Sequence, residues 1–177
     1  MPEKFDLDSA IRKIKDFPKK GILFYDITSI LTNPQAFESC IERMVEIYSK
    51  SGISAIAAIE ARGFLFAAPL AIRLKLPLVI IRKKGKLPGD TYRADVTLEY
   101  GTDTIEVHKS DVKAGMVFLL IDDLIATGGT LKGAVELLAK GGGKVKEIFG
   151  VVGLPFLGYA KKLEGITITT LIDYHGE

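Results

Sequence analysis

The sequence predicts an α/β fold with a mostly parallel sheet flanked by helices. Short continuous apolar runs at 53–59, 78–81 and 116–121 have the length and texture of strands buried on both faces. Helical periodicity separates them, as at Phe37, Ile41, Met44, Val45 and Tyr48. Strands alternating with helices need crossover connections, and crossovers favour parallel pairing. With 177 residues, of which 47% are apolar, the chain can bury a sizeable core as one domain spanning 1–177.

The elements follow in order. Leu7, Ile11 and Ile14 recur at helical spacing, so 6–16 reads as a short amphipathic helix that Pro18 ends. Residues 21–31 form an irregular or extended apolar segment, and Pro34 opens a second helix. After the strand at 53–59 come a helix at 64–75 and a strand at 78–81. The strand at 116–121 leads to a helix at 130–140, which Gly141, Gly142 and Gly143 stop. Two further strands occupy 145–152 and 166–172. Residues 83–109 interrupt the alternation. Gly85, Pro88 and Gly89 mark a long loop. Val96, Leu98 and Tyr100 before Gly101, with Ile105 and Val107 after it, mark a β-hairpin. A departure of this size from a compact domain is usually functional, often a lid, although a variable surface insertion has the same appearance.

Composition narrows the function. The net charge of +2 carries no bulk-basic signal for nucleic acid, so any anion site must be local. No apolar run approaches the ~18 residues of a membrane span. The first residues lack the apolar core of a secretory signal. The lone Cys40 excludes a disulfide framework and fits a reducing, cytoplasmic setting. His108 and His175 lie far apart, and neither has a metal-ligand neighbour at short spacing.

The strongest local pattern begins in the strand at 116–121. It runs directly into Asp122 and Asp123, then into the turn Ala126, Thr127, Gly128, Gly129 and Thr130, then into a helix. Ligands of open α/β sheets bind at the carboxyl ends of strands. The glycines let backbone N–H groups approach an anion, the threonines add hydroxyl donors, and the helix presents its positive end. Two carboxylates would repel a bare phosphate. They suit one that carries ribose hydroxyls or Mg²⁺, which points to a sugar phosphate. Adjacent strand residues face opposite ways, so both acids can reach one ligand only where the strand ends. The P-loop pattern fails because no Lys follows Gly129, and no dinucleotide fingerprint occurs here. Two cationic clusters follow strands: Arg62 beside Gly63, and Arg82, Lys83, Lys84 and Lys86. Arg62 offers a planar fork suited to phosphate oxygens. The second cluster reads equally as a solvated charge run. Glu99, on the hairpin, is a candidate for proton transfer or an exposed carboxylate.

The segment from Asp122 to Thr130 resembles the phosphoribosyl-pyrophosphate motif of type I phosphoribosyltransferases. Three further blocks resemble that family in the same order: Asp16 to Thr28, then Ala61-Arg62-Gly63-Phe64, then Arg82 to Gly89 with Leu98-Glu99-Tyr100-Gly101. The resemblance implies the type I phosphoribosyltransferase fold, with an N-terminal hood at about 1–33 and a lid at about 83–109. It implies purine salvage, in which phosphoribosyl passes from phosphoribosyl pyrophosphate to adenine, giving AMP and pyrophosphate. Arg62, Arg82, Lys83 and Lys86 would meet the leaving group, where negative charge grows. Asp122 and Asp123 would hold ribose, and the 126–130 turn the 5-phosphate. Glu99 would bond the base near N7. Leu23, Phe24, Tyr25 and Leu154 would form the adenine pocket, although many relatives carry Arg where this chain has Tyr25. Mg²⁺, held mainly by substrate near Asp122 and Asp123, and a homodimer are implied as well. Neither nucleic acid nor membrane is an expected partner. Related enzymes for 6-oxopurines tend to present a Lys to O6, and none is identified at the hood, which favours adenine. The alternatives are transfer to another base and a non-catalytic sensor of phosphoribosyl pyrophosphate.

Overall fold

The computed structural model describes residues 5–98 and 101–176, with Leu98 described by its backbone only. In chain order the elements are α1 (Leu7–Ala10), β1 (Arg12–Lys15), β2 (Leu23–Asp26), α2 (Thr28–Leu31), α3 (Pro34–Tyr48), β3 (Ala55–Ile59), α4 (Gly63–Leu74) and β4 (Leu78–Lys83). Then come β5 (Thr91–Leu98), β6 (Gly101–His108), β7 (Val117–Ile125), α5 (Gly129–Lys140), β8 (Lys144–Gly153), α6 (Tyr159–Lys162) and β9 (Thr167–Asp173). A seven-stranded sheet runs β5-β6-β4-β3-β7-β8-β9. Strands β4, β3, β7, β8 and β9 are parallel, while β6 joins β4 antiparallel and pairs with β5 as a hairpin.

The period-two geometry of the central strands divides the core. Ile56 and Ala58 of β3, with Leu119 and Ile121 of β7, face α3, α4 and the N-terminal elements. Ala55, Ala57 and Ile59, with Phe118 and Leu120, face α5 and the inner side of the hairpin. Every residue of β3 is buried, which explains its unbroken apolar run. Helix α3 starts where the sequence says: the Asn33 side chain accepts from the Ala36 N–H at 3.2 Å, and Pro34 occupies the first turn.

Two stretches depart from expectation. The predicted helix over 6–16 stops at Ala10, and Arg12–Lys15 is a strand paired with β2 in register Arg12↔Asp26 to Lys15↔Leu23. Leu7 and Ile11 are buried as helical spacing requires, but Ile14 is 36% exposed. The Ser29 hydroxyl decides the break: it donates to the Ala10 carbonyl at 2.6 Å and accepts from the Arg12 N–H at 2.9 Å. A contact from 17 residues away therefore overrides a local periodicity. The second departure concerns 83–109. Its hairpin is an extension of the main sheet, through Arg82↔Glu106 and Lys83↔Ile105, and among the described residues the loop is the segment between β4 and β5.

Phe149 is fully buried on β8 and meets Tyr48 of α3 edge-on, with ring centroids 6.0 Å apart. Phe149→Ala is expected to destabilise the fold by about 3–5 kcal/mol, the range for emptying a buried aromatic site. Urea unfolding checks this through a lowered midpoint at an unchanged slope.

Candidate active site

Strands β3, β4 and β7 end side by side, and their carboxyl ends frame a cavity of about 350 Å³. Its wall includes Arg62, Arg82, Lys83, Asp122, Asp123 and Thr130, so six of the residues singled out from sequence meet in one place. Glu60, Asp103 and Ile105 also line it.

The acids are the sixth and seventh of the nine residues of β7. Strand pairing with β8 continues through both of them to Ile125, so the strand does not end at the pair. Both nonetheless reach the cavity, as the Asp123 N–H donates to Asp122 Oδ1 at 2.9 Å. Asp123 is 3% exposed, and Arg62 Nε donates to its Oδ2 at 2.5 Å. Asp122 is half-buried, and burial followed by the adjacent Asp123 charge pushes its carboxyl well above the ordinary range. Burial works against the Arg62 charge, but its hydrogen bond with Asp123 and the charges of Asp123, Asp122 and Asp26 hold its pKa up.

Arg62 follows β3, and Arg82 and Lys83 are the last two residues of β4. Arg82 is clamped by Glu60, Nε to Oε2 and Nη2 to Oε1, both at 3.3 Å. The Lys83 N–H donates to Glu60 at 2.9 Å, and the Lys83 ammonium pairs with Asp103 at 3.0 Å. The peptide bond between Glu60 and Ala61 is cis. Burial raises the Glu60 pKa, but the Lys83 N–H and Arg82 outweigh it and hold the carboxyl below its ordinary range. Glu60 and Asp103 were not singled out from sequence. Glu60 was findable: it directly follows a buried strand and precedes Ala61-Arg62-Gly63.

The 126–130 turn is shaped for close approach. Gly128 has φ +76° and caps α5 with no side-chain hydrogen bond, which leaves the first N–H groups of the helix directed outward. A Cβ on Gly129 would lie 2.3 Å from the Thr97 carbonyl oxygen, so only glycine lets β5 lie against the turn. Gly129 borders a second groove with Thr97, Lys132 and Lys162.

The candidate base contacts lie elsewhere on the described surface. Leu23 lines a separate shallow pocket with Lys15, Asp16, Gly21 and Ile22. Phe24 meets Phe17 edge-on at 5.1 Å. Tyr25 is buried, and its ring stacks on Tyr174 at 3.8 Å. Tyr174 donates to Asp8, and Lys13 lies 5.2 Å over its ring. Tyr25 thus fastens β2 to the residue that directly follows β9. Leu154 is buried in the same cluster as Tyr25. Lys86 is exposed on the loop after β4 and is not part of the cavity wall. Glu99 lies outside the described residues.

The raised pKa of Asp122 has a measurable consequence. Its folded form holds a proton more tightly than the unfolded chain does. Wild-type stability is therefore lost as pH rises from the unfolded value near about 4 through the raised folded value. Asp122→Asn carries no such loss. Its Tm is expected to exceed wild type at pH 7–8, with the gap closing toward pH 4, in thermal melts across that range.

A family model described as phosphoribosyl transferase domain matches residues 26–154. An adenine phosphoribosyltransferase of Treponema denticola is 58% identical over 171 residues, covering 97% of this chain and 90% of the relative. The crystal structure of adenine phosphoribosyltransferase from Thermoanaerobacter pseudethanolicus superposes with a TM-score of 0.91 at 46% identity, covering 95% of this chain and 98% of that one. The Saccharomyces cerevisiae enzyme, complexed with an imino-altritol bisphosphate and adenine, matches with a TM-score of 0.87 at 37% identity, over 93% and 96% of the two chains. On these matches the chain belongs to the phosphoribosyltransferase family and, within it, to the adenine phosphoribosyltransferases.

Proposed function

We propose that this chain transfers phosphoribosyl from phosphoribosyl pyrophosphate to adenine, giving AMP and pyrophosphate. The observation that carries the reading is the cavity itself. Acids on β7, Arg62 after β3 and the cations that end β4 face one space, in a chain 58% identical to an adenine phosphoribosyltransferase. Asp122 and Asp123 accept from the ribose hydroxyls. The first turn of α5, with Thr127 and Thr130, receives the 5-phosphate. Arg62, Arg82, Lys83 and Lys86 stabilise pyrophosphate as the bond to ribose C1 breaks. The purine nitrogen then takes that carbon through an oxocarbenium-like state.

Arg62 has two roles in this scheme. It neutralises Asp123 before substrate arrives, and its half-exposed fork remains open to phosphate oxygens. Mg²⁺ suits the site as a substrate-borne ion, since it binds through phosphates plus one or two carboxylates. Among the described residues no group of three or more candidate ligands occurs, and Asp122 and Asp123 are the carboxylates on the cavity wall that would stand beside a substrate-borne ion. When bound, Mg²⁺ supplies charge neutralisation on the pyrophosphate oxygens.

The N-terminal hood reads the base. The backbone of Leu23 meets the N1 and N6 edge, and Phe24 and Leu154 give apolar contact. Tyr25, stacked on Tyr174, fixes the hood to the body of the domain. The hairpin over the site acts as the lid, and its Glu99 handles the proton near N7. A homodimer working in the cytoplasm fits the family. Among the described residues, no helix is long and apolar enough to cross a membrane.

A panel of purine and pyrimidine bases, each incubated with phosphoribosyl pyrophosphate and Mg²⁺, tests the assignment. Adenine is expected to be consumed with release of AMP; strong preference for guanine or hypoxanthine would overturn it. Glu99→Leu is expected to lower kcat by about 10²–10⁴-fold, the usual contribution of general acid–base catalysis, with little change in phosphoribosyl-pyrophosphate affinity. Equal loss of both would remove Glu99 from proton transfer.

A further inference from the structure

Glu106 is a fully buried carboxylate that the reaction scheme above leaves unused. It lies on β6, opposite Arg82 of β4 on one side and Arg93 of β5 on the other. Its side chain turns toward the loop joining β4 to β5. Oε1 accepts from two successive backbone N–H groups, those of Lys86 and Leu87, each at 3.0 Å. Oε2 accepts from the Thr91 hydroxyl at 3.4 Å and from Arg93 Nε at 3.3 Å. Burial raises its pKa, but the N–H groups of Leu87 and Gly85, then Arg93 and the Lys86 N–H, outweigh burial and hold the carboxyl below its ordinary range. The other end of the same loop is fixed by Glu60, which accepts from the Lys83 N–H and from Arg82. Arg82 Nη1 closes the frame by donating to the Lys86 carbonyl at 3.3 Å.

A buried carboxylate carries a large desolvation cost unless donors surround it, and here most of its donors come from or flank one cationic loop. A glycine-containing loop of like charges would otherwise spread by self-repulsion. We propose that Glu106 is a positioning residue for pyrophosphate: it sets the loop backbone so that Lys83 and Lys86 stand where the leaving group develops charge. This rests on the reading that the loop meets pyrophosphate. Glu106 touches no substrate. It acts by pre-organising the loop, so that binding does not have to order it.

The test measures pyrophosphate binding, AMP binding and steady-state kinetics on the full-length protein. Glu106→Ala is expected to raise KM for phosphoribosyl pyrophosphate and Kd for pyrophosphate by about tenfold, while Kd for AMP, held by the β7 side, changes less than about twofold. Glu106→Gln keeps an oxygen for both amides and is expected to recover most of the lost affinity. Should Glu106→Ala not fold, Glu106→Asp takes its place. It keeps the charge but withdraws the carboxylate by one methylene, and is expected to weaken pyrophosphate binding in the same direction. Parallel loss of AMP and pyrophosphate affinity, or unchanged pyrophosphate affinity, overturns the proposal. Lys86→Ala separates the two levels. If it leaves pyrophosphate affinity intact, the assignment of the leaving group to this loop fails. If it weakens pyrophosphate binding and the Glu106 variants do not, only the role of Glu106 fails.

Discussion

Two neighbouring carboxylates in the carboxyl-terminal half of a central, buried strand are an electrostatic problem that the surrounding structure is arranged to solve. Asp122 and Asp123 lie where water is scarce and where each raises the energy of the other's charge. Arg62, brought in by the turn after β3, meets Asp123 at 2.5 Å and removes part of that repulsion. Asp122 keeps the rest, with its pKa raised, at the wall of the cavity. A ligand that offers hydroxyl donors, or carries a divalent cation, supplies what the protein leaves uncompensated. Local instability of this kind is typical of binding sites, which trade folding stability for readiness to bind.

The cationic side is built on the opposite logic. Arg82 and Lys83 would repel one another and any further lysine nearby, so each is matched by an acid before substrate arrives. Glu60 clamps Arg82, Asp103 pairs with Lys83, and Glu106 holds the backbone of the loop that carries Lys86. These acids do not cancel the site. Lys83 is 62% exposed and Arg82 32% exposed, so both retain surface to offer an incoming anion. Of the three acceptors Glu106 is fully buried, while Glu60 and Asp103 are partly exposed beside their cations. Charge pairing that would contribute little to stability at a free surface acts here as positioning.

The hairpin shows how packing and function share residues. Val96 and Ala94 point into the core against α5, while Gly129 admits the Thr97 carbonyl to the start of that helix. Strand β5 is therefore packed against α5 and paired with β6 along its length. The Tyr25–Tyr174 stack couples β2 to the residue that directly follows β9.

Much of this was written locally. The apolar runs of β3, β4 and β7, the Asn33–Pro34 helix start and the glycine turn before α5 each depend on neighbours a few residues away. Sequence therefore determined the α/β class, the strand order along the chain, and the acids, cations and turn of the site. Long-range contacts decided the rest. Ser29 turned a helix-spaced segment into the strand β1, because its hydroxyl bonds the backbone of a distant turn. Asp103 and Glu106 carry no motif; their importance arises from what β4, β5 and the loop between them bring beside β6. The Arg62–Asp123 pair spans 61 residues, and the stack of Tyr25 on Tyr174 spans most of the chain. Local sequence can specify which groups are present, but the charge each one feels depends on neighbours that only the folded sheet assembles.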